Sequence, residues 1–273
     1  MDKKTFQKLI LDFYKKEGRH SLPWRHTRDV YAILVSEVML QQTQVSRVLE
    51  KYALWMEAFP NVETLSKASL SEVLFLWQGL GYSRRARFLH LSSKQLFEKY
   101  GNKIPPSISV EELDELPGVG PYTARAVKTF TSGGREIFIE TNIRTIFLHH
   151  FFNEQKDVLD SDLLDKIEEM LPTNKFREWY YALMDYGAFL KKSGVRNNSR
   201  SAQYIKQTKF QGSGRELRAR CLREILIEPK GKTLGKIVSA IGNSTTEAVL
   251  GKLEELIKDG LINKKRNKYF ITH

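Results

Sequence analysis

Cysteine is almost missing from this chain: among 273 residues only Cys221 carries a thiol. No disulfide can close within it, and neither a zinc thiolate site nor an iron–sulfur cluster can be assembled from its cysteines. Long apolar runs are missing too, since no stretch approaches the ~20 residues that a membrane span needs. The opening segment "MDKKTFQKLILDFYKKEGRH" spaces its apolar residues along one helix face between lysines, unlike a secretory core. Strand-like alternation is nearly absent over the first 210 residues, which excludes a sandwich or a barrel there. Acidic side chains are in deficit, 32 against 44 Lys and Arg, for a formal charge of +12. Such an excess favours a polyanionic partner, most simply nucleic acid, although charge alone would also suit an acidic membrane surface. The location expected from these absences is the cytoplasm, or a nucleoid within it.

What is present is mostly helix. "YAILVSEVMLQQTQVSRVLEKYALWMEAF" is one long apolar-periodic segment, followed by "SLSEVLFLWQGL", "RRARFLHLSSKQLFEKYG", "DSDLLDKIEEMLP" and "KFREWYYALMDYGAFL". From Lys191 to Gly214 the periodicity is lost and the chain turns polar and basic, which reads as a linker lying on the helical body. Beyond it, "RELRARCLREILIEP", "TLGKIVSAIG" and "STTEAVLGKLEELIKDG" read as three helices, the last capped by Ser244. "LINKKRN" and "KYFITH" then read as two short strands around a basic tip. Three helices and a terminal ribbon describe a winged helix that binds DNA through its third helix, or a docking module of the same shape.

Two stretches carry chemistry. "ELPGVGPYTARAV" (115–127) sets Pro117, Gly118, Gly120 and Pro121 directly before a helix of small side chains. Glycines let another backbone come close, and a helix start offers unpaired N–H groups, so the turn suits an anion. It also suits a plain tight turn between helices. In "SEVMLQQTQV" (36–45), Glu37 shares a helical face with Leu40, Gln41 and Gln44 and has Val35, Val38 and Met39 as neighbours. Desolvation there favours the neutral acid, ready to give up a proton. A buried ion pair with an arginine would instead hold Glu37 ionised.

The hairpin and four further motifs, "LPWR" (22–25), "SEVMLQQTQV", "GLGYSRRARFLH" (79–90) and "LMDYGA" (183–188), occur in an order that resembles the helix-hairpin-helix DNA glycosylases. Within that superfamily the chain is most similar to the MutY-type adenine glycosylases, over about residues 20–190. The resemblance implies a two-lobed, all-α helix-hairpin-helix glycosylase domain over 1–210. One six-helix lobe would span about 30–132, and the second would combine 1–29 with 133–210. A small α+β winged helix would follow over 211–273. It further implies a monomeric enzyme that binds double-stranded DNA, flips out a mispaired or damaged base and cleaves its N-glycosidic bond. Such a cleavage needs one carboxyl to protonate the leaving base and another to face the oxocarbenium-like sugar.

By the same resemblance Glu37 is the acid and Glu140, in "FIETNIRT", is the sugar-facing carboxylate organised by Asn142. The family has aspartate where Glu140 stands, and Glu140 could also simply cap the helix it precedes. Tyr122 replaces the lysine that forms a Schiff base in bifunctional relatives, and Lys128 lies on another face, so simple hydrolysis is implied. Trp24, Arg25 and Asp185 match the base pocket, although Trp24 would serve equally as core. Leu40, Gln41, Gln42 and Tyr82 match residues that fill the gap and contact the opposite base. Arg84, with Gly118, Val119, Gly120 and Thr123 of the hairpin, completes the expected DNA contacts.

Two family features are missing from this sequence. The four cysteines that often follow "LMDYGA" are replaced by "FLKKSGVRNNSRSAQY", so no metal or other cofactor is expected. Lys191, Lys192, Arg196 and Arg200 would supply the positive charge of that loop. About sixty residues of winged helix stand in place of the MutT-like domain that reads 8-oxoguanine. Two alternatives remain at this level. One is a thymine or uracil mismatch glycosylase, which "QQTQV" disfavours; the other is a non-catalytic DNA-binding protein, which Glu37, Glu140 and Tyr122 together disfavour.

Overall fold

The computed structural model describes residues 1–204 and 209–272. The expected linker 191–214 includes residues 205–208, which lie outside the described residues. Contacts divide the chain into two compact units: Met1–Glu37, Pro105–Glu115 and Val119–Lys206, and then Val38–Ile104, Leu116–Gly118 and Gln207–His273. In this division the C-terminal segment clusters with residues 38–104.

The first unit is helical. Helix α1 (Lys3–Glu17) starts at Asp2, whose carboxylate accepts from the Thr5 N–H, and it buries Phe6, Ile10 and Tyr14 at i, i+4 spacing. A 3-10 turn, Pro23–Arg25, leads to α2 (Val30–Leu40). Every residue from Val30 to Met39 is buried, as expected of a helix that is apolar all round, and Glu37 is its single charged group. Helices α7 (Val110–Asp114) and α8 (Pro121–Ser132) flank the glycine turn. Then come α9 (Thr141–His150), α10 (Asp160–Met170) and α11 (Phe176–Lys192). Aromatic rings join these helices. Phe6 meets Phe147, Phe151 and Trp179 edge-on, while Phe138 stacks on Tyr180 at 3.8 Å and Phe130 on Tyr181 at 4.4 Å. Each such buried ring contributes about 2 to 3 kcal/mol of apolar burial.

The second unit holds α3 (Val45–Ala58), α4 (Val62–Lys67), α5 (Leu70–Leu76) and α6 (Arg84–Tyr100). Its C-terminal part adds α12 (Gly214–Leu226), β1 (Lys232–Thr233), α13 (Leu234–Ile241), α14 (Thr246–Lys258), β2 (Ile262–Lys265) and β3 (Lys268–Ile271). Asn61 and Ser69 open α4 and α5 with capping boxes. Trp55 and Trp77, both fully buried, meet edge-on at 5.5 Å. The strands form one antiparallel sheet of order β1-β3-β2, with Lys265 opposite Lys268 at the tip.

Three local expectations change. The long segment from Tyr31 breaks after Leu40, and Gln42 takes a left-handed φ of 54° before α3 begins. Leu40 therefore stays on the Glu37 helix, while Gln41 and Gln44 leave it. The broken end is satisfied by Arg85, which donates to the carbonyls of Val38 at 2.7 Å, Gln41 at 2.5 Å and Leu80 at 3.0 Å. Helix α14 is capped by Thr245 rather than Ser244, its hydroxyl accepting from the Ala248 N–H. Strand β1 is too short for its alternation to show in the sequence.

Replacing Arg85 by Met keeps the aliphatic stem but orphans those carbonyls. We expect Arg85→Met to lower stability by about 3 kcal/mol, as a fall in the urea midpoint at unchanged slope.

Candidate active site

Three side chains with reactive oxygens converge in the first unit. Glu37 comes from α2, Tyr122 from the first turn of α8, and Glu140 from the residue before α9. Glu37 is 5 % exposed, and its Oε2 accepts the Tyr122 hydroxyl at 3.2 Å. Burial pushes its carboxyl up to about 7; the Tyr122 hydrogen bond opposes the rise, the Glu140 charge adds to it and the Arg25 charge opposes it. Burial also drives Tyr122 well above its ordinary range, so the phenol stays protonated and can donate.

Glu140 is shaped differently. Its Oε1 accepts the N–H groups of Asn142 at 2.8 Å and Ile143 at 2.9 Å, which makes it the N-cap of α9. Its Oε2 accepts the Asn142 side-chain amide at 3.1 Å. Burial still raises Glu140, but the two N–H bonds and the charges of Lys191 and Arg19 pull the other way. Capping and carboxylate presentation are thus compatible in one residue. Of the two acids, Glu140 has the stronger set of partners for its charged form, and Glu37 is the readier proton carrier.

Among the described residues no arginine makes a direct ion pair with Glu37. Arg25 gives Nη1 and Nη2 to Asp185, at 2.7 and 2.8 Å, while its guanidinium lies 4.4 Å from the Tyr181 ring centre. Arg19 adds its backbone N–H and Nε to the same carboxylate, at 2.7 and 2.6 Å. Asp185 is held below its usual range because these arginines outweigh its desolvation. The cluster ties residues 19–25 to α11, and Trp24 is buried beside it in the chain. Gly187 lies half a turn further along α11, and a Cβ there would collide with the Asn142 carbonyl. That close approach explains the glycine of "LMDYGA".

The remaining expected contacts fall in two places. In the hairpin, Gly118 has φ +75°, and a Cβ on it would strike the Phe88 ring; both residues lie in the second unit. Gly120 has nothing within 4 Å of a Cβ, so among the described residues no atom demands its glycine. Val119 and Thr123 are buried. Leu40 is half-buried at the end of α2. In the second unit, Gln41, Gln42, Tyr82 and Arg84 line a cavity of about 370 Å³ together with Arg218 and Asp259. Tyr82, like Gln42, has a left-handed φ, 47°, and its hydroxyl accepts from Arg215 at 2.8 Å. Of the loop cations, Lys192 is exposed. Arg200 instead donates to the carbonyls of Leu148 and Phe152, and Lys191 to the Asn142 amide oxygen at 2.9 Å. Lys128 is held by the carbonyls of Pro106 and Ile108.

Sequence reasoning missed Arg19, Arg85 and Gly187. Arg19 sits just before one recognised motif and Arg85 inside another, but their partners lie 166 and 44 to 47 positions away. An iron–sulfur cluster does not fit: Cys221 is buried in α12, and no other thiol exists in the sequence. Among the described residues no cluster of three His, Cys, Asp or Glu could hold a metal, and no helix is long and apolar enough to cross a membrane.

Two buried carboxyls with unequal surroundings thus stand together in the first unit. Residues 35–172 match the model of the HhH-GPD superfamily base excision DNA repair proteins, and the chain belongs to that family. It is 36% identical over 190 residues to the adenine DNA glycosylase of Buchnera aphidicola subsp. Baizongia pistaciae, covering 68% of this chain and 53% of that protein. It is also 36% identical over 183 residues to the adenine DNA glycosylase of Mus musculus, covering 58% of this chain and 35% of that protein. The chain thus spans about half the length of the curated relatives it matches first. Among solved structures it resembles a thermostable thymine-DNA glycosylase, with TM-score 0.59 and 26% identity, over 74% of this chain and 96% of that one.

A carboxyl raised by folding binds its proton more tightly in the native state. Its contribution is therefore fully present below the unfolded value near 4.5 and is lost as pH rises through about 7. Glu37→Gln removes that loss. We expect the variant to be more stable than wild type by about 3 kcal/mol above pH 8 and no more stable near pH 4, measured by urea unfolding at both.

Proposed function

We propose that this chain is a monofunctional DNA glycosylase that excises adenine mispaired with guanine or 8-oxoguanine. The observation that carries the reading is Glu37, an acid raised to about 7 and hydrogen-bonded to a neutral phenol, buried with a second carboxyl. Glu37 would protonate the leaving base, and Glu140 would face the positive charge that develops on the sugar. Tyr122 offers a phenol where a Schiff base would need an amine. The names of the relatives support adenine as the base, and the 26%-identical neighbour makes thymine the competing target. Trp24, Arg25 and Asp185 would wall the base pocket.

Duplex DNA would lie on the hairpin and on the cavity of the second unit. Gly120, whose missing Cβ no neighbour among the described residues requires, would admit a phosphate to the start of α8. Leu40, Gln42 and Tyr82 would fill the gap left by the flipped base. We take residues 1–210 as the glycosylase domain and 211–273 as a winged helix. The order helix, strand, helix, helix, strand, strand supports this, as do the exposed Lys264, Lys265, Arg266 and Lys268 around the terminal hairpin. With one thiol in the sequence, catalysis would need no iron–sulfur cluster.

Duplexes carrying each mispair, incubated with enzyme and then heated in alkali, test the assignment. Adenine opposite guanine or 8-oxoguanine should be released, with the strand intact until alkali is added and little complex trapped by borohydride. Glu37→Gln should release no base yet bind the same duplex as wild type, because the amide keeps the shape without the proton. Efficient borohydride trapping would refute the monofunctional reading, and release of thymine alone would replace the substrate. Changing Lys264, Lys265 and Arg266 together to Ala should weaken binding and flatten its salt dependence by up to about 3 in logarithmic slope. An unchanged slope would remove the wing from the DNA interface.

A further inference from the structure

The proposed chemistry requires opposite protonation states from two carboxyls that burial pushes in the same direction. Something must favour the ion at one of them. Glu140 is fixed before α9 by the N–H groups of Asn142 and Ile143 and by the Asn142 side-chain amide. That amide has two ends, and only its NH2 end can bond a carboxylate. Its Oδ1 accepts the Lys191 ammonium at 2.9 Å, so the lysine dictates which end Glu140 meets. Lys191 sits in the last turn of α11, one turn beyond Gly187, whose bare Cα lets α11 close on the Asn142 carbonyl. The neighbouring Lys192 is exposed, whereas Lys191 is half-buried over Asn142.

We propose that Lys191 is a positioning residue of the excision site, holding Glu140 as the sugar-facing carboxylate through the Asn142 amide, and is not a phosphate contact. The inference rests on the glycosylase reading above and differs from the loop role that the sequence implied for this lysine. Every charged group facing Glu140 enters the balance. Lys191 from α11 and Arg19 from the segment after α1 favour its ion, while Glu37 from α2 opposes it and Tyr122 from α8 stands neutral between the acids. Glu37 in turn faces Glu140, Tyr122 and Arg25. Removing the lysine charge therefore moves Glu140 toward protonation and weakens its repulsion of Glu37. The two acids titrate as a pair, so both limbs of the rate profile should respond.

The test uses the full chain with Lys191→Met, and with Lys191→Arg as the charge-keeping variant. Single-turnover base release at saturating enzyme is measured against pH, and duplex affinity against salt. For Lys191→Met we expect a maximal rate lower by between about tenfold and a hundredfold, with the acid limb moved to higher pH. Affinity and salt slope should match wild type, and Lys191→Arg should return the acid limb toward its original position. A flatter salt slope with an unmoved limb would make Lys191 a phosphate contact and overturn the proposal. A second measurement needs no DNA: carbon-13 titration of the Glu140 carboxyl, assigned by the signal that Glu140→Gln removes. Its midpoint should rise in Lys191→Met, and an unmoved midpoint would overturn the proposal even in a folded variant. If wild type releases no base from any mispair, the glycosylase reading fails, and this titration still decides whether Lys191 governs Glu140.

Discussion

Two carboxyl groups withdrawn from water beside one another are the constraint that the first unit is built around. Left alone, both would take up protons, and neither could present a charge to a developing cation. The helices around them answer with unequal gifts: a single phenol for Glu37, and two backbone N–H groups, an amide and nearby cations for Glu140. Arg25, a natural partner for Glu37, is instead locked to Asp185. A direct Arg25–Glu37 pair would have fixed the acid as an anion. The Arg19–Asp185–Arg25 cluster thus works partly by keeping a cation away from where it would do harm.

The second unit solves a different problem. It must end α2 abruptly and leave polar side chains at the break, although broken helices expose unpaired carbonyls. Arg85 collects those carbonyls from one side, which lets Gln42 and Tyr82 hold left-handed conformations that cost about 1 to 3 kcal/mol each. Strain of that size persists only where the surroundings enforce it. Both residues border one cavity, and the C-terminal segment contributes Arg218 and Asp259 to its wall and Arg215 to the Tyr82 hydroxyl.

Much of this was legible in the sequence, and the limits have physical causes. The helices and the terminal strands follow from periodicity, because an apolar face must repeat at the helix or strand spacing to be buried. Glu37 was legible because an acid among Val35, Val38 and Met39 is anomalous, whereas Glu140 was legible only through the family resemblance, its own position reading equally as a helix cap. The break after Leu40 was not, since "QQTQ" carries neither glycine nor proline and the turn is imposed by an arginine over forty residues away. Lys191 and Arg200 resembled a solvated basic loop. Charge counts cannot tell a cation facing solvent from one folded back on a carbonyl or an amide.

The distances along the chain between partners in the first unit have a consequence for synthesis. Arg19 and Asp185 are separated by 166 positions, Glu37 and Tyr122 by 85, and Asn142 and Lys191 by 49. A chain emerging from its N-terminus holds Glu37 early, without the asymmetric surroundings that separate it from Glu140. Those surroundings are complete only when the end of α11 has been made and has docked, since distant contacts form after the intervening chain exists. A chain that stops before α11 holds Glu37 and Glu140 but lacks Asp185, which occupies Arg25, and Lys191, which holds the Asn142 amide. The last helix of the first unit therefore completes the unequal surroundings of the two acids, and a chain that ends short of it lacks Asp185 and Lys191.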